Sequence, residues 1–386
     1  MIRNAYRLRM PGPTAVPERV RQAMARPVLS HRGPEFVALI DRAAEMLQFV
    51  LGTRNPVLFF ASSGTGMMEA SLVNILAPGE RVLVCVNGQF GERYAEIAQA
   101  LGAAVDTIDI PWGRAIDAAD VEKRVETTDY RAVVVVHNES STGVVADLAA
   151  IGALLRDRPT LLVVDSVSGL GGIEMRQDEW GIDIVASSSQ KALMCPPGLG
   201  LVSMSPKAWQ VVSRDDRLPR YYWDFRKAMA SVEESGTPFT TPVALMAGLR
   251  EALEMIHEEG LPQVLARHRM VSSALRAGCE ALGLRSFPQA ERLSSTVVCL
   301  NVPDGLKGGD IVRDMYQRHG TVIAGSRNKI EGKVIRIGTM GDIDAHDILT
   351  DLLHLEDTLH TLGFPSTPGA GVSAAGAAMM EMHNAR

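Results

Sequence analysis

The run Val133-Val-Val-Val136 constrains the fold more than any other stretch, because it is apolar on both faces of a strand. A strand buried on both sides belongs in the middle of a parallel sheet covered by helices. Short apolar runs of this kind recur, and strands are predicted over 57–61, 81–86, 104–110, 132–137, 161–165, 182–186 and 199–204. Helical periodicity falls between them, over 66–76, 90–101, 117–125 and 148–156. Such alternation predicts an α/β fold, a mostly parallel seven-stranded sheet with right-handed crossovers and helices on both faces.

The organisation changes near residue 250. A long helical pattern over 241–259 ends at Gly260-Leu-Pro262, and a second α+β pattern follows. It comprises a helix over 264–282, a strand over 296–302, a helix over 309–318, strands over 322–324 and 333–337, and a helix over 345–362. We therefore expect an N-terminal arm (1–15), a large domain (16–261) and a smaller C-terminal domain (262–386). The Gly/Ala/Pro-rich tail from Gly363 is expected to be weakly ordered or draped on a partner.

At 386 residues, with 46% hydrophobic and 22% charged residues, the chain has the composition of an ordinary globular protein. A net charge of −6 gives no reason to expect a nucleic-acid partner. No run approaches transmembrane length and the N-terminus carries no apolar leader, so no membrane association is expected and the cytoplasm is the default. The four cysteines (Cys85, Cys195, Cys279, Cys299) lack the spacing of a zinc site or disulfide framework. No metal is expected.

Chemistry gathers at the carboxyl ends of the predicted strands, where α/β sheets bind ligands. Ser62-Ser-Gly-Thr65-Gly66 leads into a helix, and such a turn brings backbone N–H groups and the helix dipole to an anion. It lacks the lysine of a P-loop and the spacing of a dinucleotide site. Asn87-Gly-Gln-Phe90-Gly91 presents an aromatic face, and His137-Asn-Glu-Ser140-Ser-Thr-Gly143 a hydroxyl-bearing loop. Asp165 closes Leu161-Leu-Val-Val-Asp165, and Lys191 follows the next strand in Ser187-Ser-Ser-Gln190-Lys191. A strand-end aspartate paired with a strand-end lysine suits pyridoxal 5'-phosphate: the lysine forms the Schiff base and the aspartate keeps the pyridine nitrogen protonated.

The chain resembles the class V pyridoxal-phosphate-dependent aminotransferases, in particular the serine/alanine (aspartate)–glyoxylate aminotransferases. The motifs above carry the resemblance, with Pro11-Gly-Pro-Thr14, Pro196-Pro-Gly198 and Gly332-Lys-Val-Ile-Arg336-Ile-Gly338. It implies the fold-type I architecture and a homodimer with active sites at its interface. It also implies that Lys191 is the Schiff-base lysine and Asp165 the partner of the pyridine nitrogen. By the same resemblance Ser140 is expected to bond the ring oxygen, Phe90 to stack on the ring, and Thr65, Gly66 and Gln190 to hold the phosphate. It further implies that Thr240 reaches the phosphate of the neighbouring subunit, that Arg336 takes the substrate carboxylate, and that Gly12 and Ser140 also line the substrate site. Two departures stand out: Phe90 replaces a common Trp, and no Tyr stands near Thr237.

The implied reaction is ping-pong transamination through pyridoxamine phosphate. A small amino acid (serine, alanine or aspartate) is the donor, glyoxylate or pyruvate the acceptor, and Lys191 moves the proton. Ureidoglycine–glyoxylate or pyridoxamine–pyruvate transamination on the same fold is the alternative. A lyase or desulfurase is disfavoured, because Cys279 sits in a helical pattern, Cys299 in an apolar strand, and desulfurases generally stack a histidine where Phe90 stands. A non-catalytic phosphate-binding protein would not need Asp165, Gln190 and Lys191 together. Of the remaining polar motifs, His31-Arg32 lines the pocket, recognises a second substrate carboxylate, or forms a solvated turn. Cys195 reads as a structural thiol, and Arg327 and Lys329 as a solvated basic tip.

Overall fold

The computed structural model describes residues 6–214, 218–234 and 236–384. Seven strands form the main sheet: β1 (Val57–Ser62), β2 (Arg81–Val86), β3 (Ala104–Asp109), β4 (Ala132–Val136), β5 (Leu161–Asp165), β6 (Ile184–Ser188) and β7 (Gly198–Met204). Their order across the sheet is β1-β7-β6-β5-β4-β2-β3. Neighbours from β6 through to β3 run parallel, whereas β7 is antiparallel to both β1 and β6. The reversal has a local cause. Residues 189–197 are too few for a crossover, which needs about a dozen residues.

The central strands are buried on both faces, as their apolar runs require. Val133 and Val135 of β4 pack into one layer with Phe36, Ile40 and Leu47 of helix Pro34–Leu51. Val134 and Val136 pack into the other, with Met68 and Leu72 of helix Gly64–Val73 and Tyr94 of helix Gln89–Ala100. Parallel register sets Asp165 opposite Val136 on one side and Ala186 on the other, so the aspartate sits at the carboxyl edge between β4 and β6.

Beyond helix Val243–Glu259 the chain builds a three-stranded antiparallel sheet from Val297–Asn301, Val334–Gly338 and Ala324–Gly325. The next helix starts at Leu261, earlier than Gly260-Leu-Pro262 suggested, because proline is tolerated in a helix's first turn. The strand predicted over 322–324 is divided. Thr321–Val322 pairs with Arg7–Leu8 instead of joining the three-stranded sheet. Arg7 and Arg9 then form ion pairs with Asp347 and Asp351 on helix Ala345–Thr361, which fixes the arm onto this region.

The expectation of a weakly ordered tail is corrected. Residues Ala370–Asn384 form a helix against helix Leu261–Ala281, with Ala375 fully buried. A Cβ on Gly278 would lie 2.8 Å from the Gly371 carbonyl, so the two backbones approach closely. The glycine and alanine content that suggested disorder serves instead to let two helices pack at short range. Among the described residues, no helix is long and apolar enough to cross a membrane.

Candidate active site

Lys191 lies in the turn after β6, 9% exposed, with its Nζ donating to the Pro11 carbonyl. The arm residues 11–14 cross directly over it. Thr14 donates its backbone N–H to the Gln190 carbonyl (3.2 Å) and its hydroxyl to the Lys191 carbonyl (3.0 Å). Gly12 has φ +104°, and a Cβ there would fall within 2.6 Å of the Lys191 Cε and Nζ. Only glycine meets both conditions.

Burial lowers the Lys191 pKa to about 8; the nearby Asp165 opposes this, and Arg336 and Arg93 reinforce it. Asp165 is 3% exposed, and its Oδ1 accepts from the Val167 backbone N–H at 2.8 Å. Burial raises its pKa to about 6, against the Val167 hydrogen bond and the Lys191 charge. Asp165 and Lys191 are thus close enough to perturb each other. His137, just before the hydroxyl loop, is held near a pKa of about 4 by burial and pairs through Nδ1 with the Ser166 hydroxyl (2.9 Å).

Arg336 leaves the middle of strand Val334–Gly338. Its Nε and Nη2 donate to the Gly325 carbonyl (3.0 and 2.8 Å), and its Nη1 to the Ser140 carbonyl (3.2 Å). Among the described residues no carboxylate pairs with it. The guanidinium is held in place by neutral oxygens and keeps two N–H bonds for an anion.

The turn expected to form an anion cup lies at the start of helix Gly64–Val73. Ser63 caps the helix, accepting from the Gly66 N–H at 3.2 Å, and Thr65 is exposed at the rim. The Gln190 Oε1 and the Ser188 Oγ are buried without partners among the described residues. Phe90 is half-buried in the first turn of helix Gln89–Ala100. Thr240 is exposed beside Phe59, Phe60 and Ala61 and has no hydrogen bond to the cup among the described residues.

One residue escaped the sequence reading although it lies inside a quoted motif. Glu139 is fully buried, and its Oε2 accepts from the Phe90 and Gly91 N–H groups (3.0 and 3.3 Å). Its Oε1 accepts from the Ser141 N–H and hydroxyl (3.1 and 2.6 Å). One carboxylate therefore ties the aromatic helix to the hydroxyl loop, and a Cβ at Gly88 would strike it at 2.3 Å. All four cysteines are buried, with burial pushing Cys85, Cys195 and Cys299 up to about 12. No mobile thiol of the kind a desulfurase needs is present among the described residues. Arg32 is exposed and His31 half-buried. Lys329, read as a solvated tip, is exposed but pairs with Glu92 at 2.6 Å.

The model of the class-V aminotransferases matches residues 9–338. The chain belongs to the class V aminotransferase family. Among curated proteins it is 38% identical over 95% of its length to a "Soluble hydrogenase, small subunit" of Synechococcus sp., spanning 97% of that protein. It is 37% identical to an "L-aspartate--glyoxylate aminotransferase" of Paracoccus denitrificans, covering 95% of this chain and 94% of the relative. Among solved structures, a ureidoglycine-glyoxylate aminotransferase from Bacillus subtilis superposes with a TM-score of 0.93 at 29% identity, covering 100% of this chain and 99% of that one.

As a class V aminotransferase the protein uses pyridoxal phosphate, and its residues fit that group. The carboxyl edge of the sheet offers a buried amine (Lys191), a buried carboxyl (Asp165), and two buried polar atoms without partners among the described residues (Gln190 Oε1, Ser188 Oγ). The helix N-terminus at Ser63–Gly66 suits a phosphate.

Proposed function

We propose that this aminotransferase moves an amino group from a small amino acid (serine, alanine or aspartate) to glyoxylate or pyruvate. The observation that carries this reading is Arg336. Its guanidinium is aimed by two backbone carbonyls, is unpaired with any described carboxylate, and acts on the Lys191 amine electrostatically. That is a preformed seat for an α-carboxylate beside a nucleophilic amine.

Bound pyridoxal phosphate supplies an aldehyde that condenses with amines and a ring that accepts the Cα electron pair. The protein does the rest. Asp165 holds a proton at the ring-nitrogen end, Phe90 flanks the ring, and Thr65, Gly66 and Gln190 take the phosphate. Ser140 meets the ring hydroxyl, and Gly12 leaves room above Lys191. Arg336 fixes the substrate carboxylate and so orients the Cα–H bond towards Lys191. A pKa near 8 leaves part of the Lys191 amine neutral at physiological pH, as a nucleophile and general base must be.

We further propose a cytoplasmic homodimer, with Thr240 completing the phosphate site of the neighbouring subunit. Apolar and aromatic side chains exposed at Val28, Leu29, Tyr221 and Tyr222 support a buried interface. Ureidoglycine–glyoxylate transamination is the second reading, favoured by the Bacillus subtilis neighbour. A panel of amino donors, ureidoglycine and pyridoxamine included, assayed against glyoxylate, pyruvate and 2-oxoglutarate tests both. A small amino acid should be the best donor with glyoxylate or pyruvate. Absence of transfer from every amino acid would refute the main reading.

A further inference from the structure

Arg93 is used by none of the roles above, yet it stands among them. It projects from the second turn of helix Gln89–Ala100, half-buried. Its Nη1 donates to the Thr65 hydroxyl at 3.0 Å, and its guanidinium lies 4.9 Å from the Phe90 ring centroid. Its charge also lowers the pKa of both Lys191 and Asp165. Among the described residues no carboxylate neutralises it.

A half-buried guanidinium without a counter-ion is costly, and proteins keep one where an anion arrives. The cup that Arg93 touches is otherwise built from neutral donors: Ser63, Thr65, Gly66 and Gln190. A phosphate there carries close to two negative charges at neutral pH, and the partial charge of one helix N-terminus offsets only part of that. Arg93 sits at the rim of this cup, bonded to Thr65 and packed on Phe90, so it forms one wall with both.

We infer that Arg93 is a further cofactor-binding residue, a cation that pairs with the phosphate of the cofactor at the Thr65 rim. The inference rests on the pyridoxal-phosphate reading of the site. Packing on Phe90 gives the side chain a fixed direction, and the Thr65 hydroxyl holds its fork when the anion is away. The same placement adds positive potential around Lys191, which favours its neutral form.

The test is a titration of apoenzyme with pyridoxal phosphate and, separately, with pyridoxal, which has the ring and aldehyde but no phosphate. Binding is followed by absorbance and the fold by far-ultraviolet circular dichroism. Arg93→Gln, which keeps a hydrogen-bond donor for Thr65 and removes the charge, should weaken pyridoxal phosphate about tenfold or more. It should leave pyridoxal binding unchanged within about twofold, since the lost ion pair belongs to the phosphate alone. Arg93→Lys should recover most of the affinity and guards against a misfolded first variant. Equal weakening of both ligands would assign Arg93 to ring packing and overturn the inference. So would wild-type affinity in Arg93→Gln. Wild-type protein that binds neither ligand would overturn the pyridoxal-phosphate reading itself.

Discussion

Gly12 and Lys191 occupy complementary space: the backbone of one lies where a single added carbon would overlap the side chain of the other, at 2.5 Å from the Lys191 Cδ. The arm that carries Gly12 is held at both ends, by Arg7 and Arg9 on Asp347 and Asp351, and by Thr14 on the backbone of residues 190 and 191. The arm has little freedom to move aside.

Gly12→Ala should therefore displace the lysine as well as strain a backbone at φ +104°. A misplacement of about 1 Å costs about 100-fold in rate, and kcat should fall by at least that much. Steady-state kinetics with saturating cofactor check this. A variant within threefold of wild type would show that the arm yields.

Lys191→Ala should abolish transamination and the absorbance of covalently bound cofactor while the fold survives, because Asp165 and the cup remain. The neutral amine should also govern how fast apoenzyme captures the cofactor. With burial holding its pKa near 8, the capture rate should rise with pH through about 8 and level off above it. Stopped-flow absorbance across the pH range reads the midpoint.

Asp165→Asn should lower turnover by about three orders of magnitude or more, since an amide keeps the Val167 hydrogen bond but cannot hold the ring nitrogen protonated. Apoenzyme stability should move the opposite way. Burial lifts the Asp165 carboxyl from 3.8 to about 6, so the neutral form is favoured in the folded state. The stability this gives is present in full below 3.8 and is lost as pH rises through 6. Ionisation then costs about 3 kcal/mol, the free energy of that difference in pKa. Apo Asp165→Asn should melt higher than wild type at pH 7.5, with the gap closing below pH 4. Differential scanning calorimetry of both apoproteins measures it.

Arg336→Lys should weaken every amino acid donor and glyoxylate alike, by about 10- to 100-fold in kcat/KM, because an ammonium keeps the charge but loses the planar fork. The two bonds to Gly325 and the one to Ser140 cannot all be remade by a single nitrogen. If aspartate is a good donor, a second cation must meet its side-chain carboxylate. His31 and Arg32 of the neighbouring subunit are our candidates, and Arg32→Ala should lower the aspartate-to-serine preference in a donor competition assay.

Much of this was legible in the sequence because it is written locally. Leu161–Asp165 announces a buried strand ending in a carboxylate, and the structure places that strand over those same residues. Arg81–Val86 is equally plain, with its apolar run bounded by polar turns. The orientation of β7 was not legible, because the strands predicted over 182–186 and 199–204 leave about a dozen residues between them, enough for a crossover, and apolar content alone does not carry direction; the structure shortens that connection to 189–197. The tail from Gly363 misled because low side-chain volume signals disorder in isolation and close helix packing in context. Gly12 against Lys191, Glu139 under Phe90 and Arg93 at Thr65 join residues far apart in the chain. No local periodicity records such contacts; the register of the sheet and the path of the arm create them.

The central claim is that Lys191 is the amine that binds the cofactor covalently, and borohydride reduction tests it most directly. Purified protein loaded with pyridoxal phosphate is reduced, digested and mapped by mass spectrometry. The account predicts a phosphopyridoxyl group on Lys191, in the peptide containing Ser187-Ser-Ser-Gln190-Lys191. Stoichiometric labelling of any other lysine, with Lys191 unmodified, would contradict it.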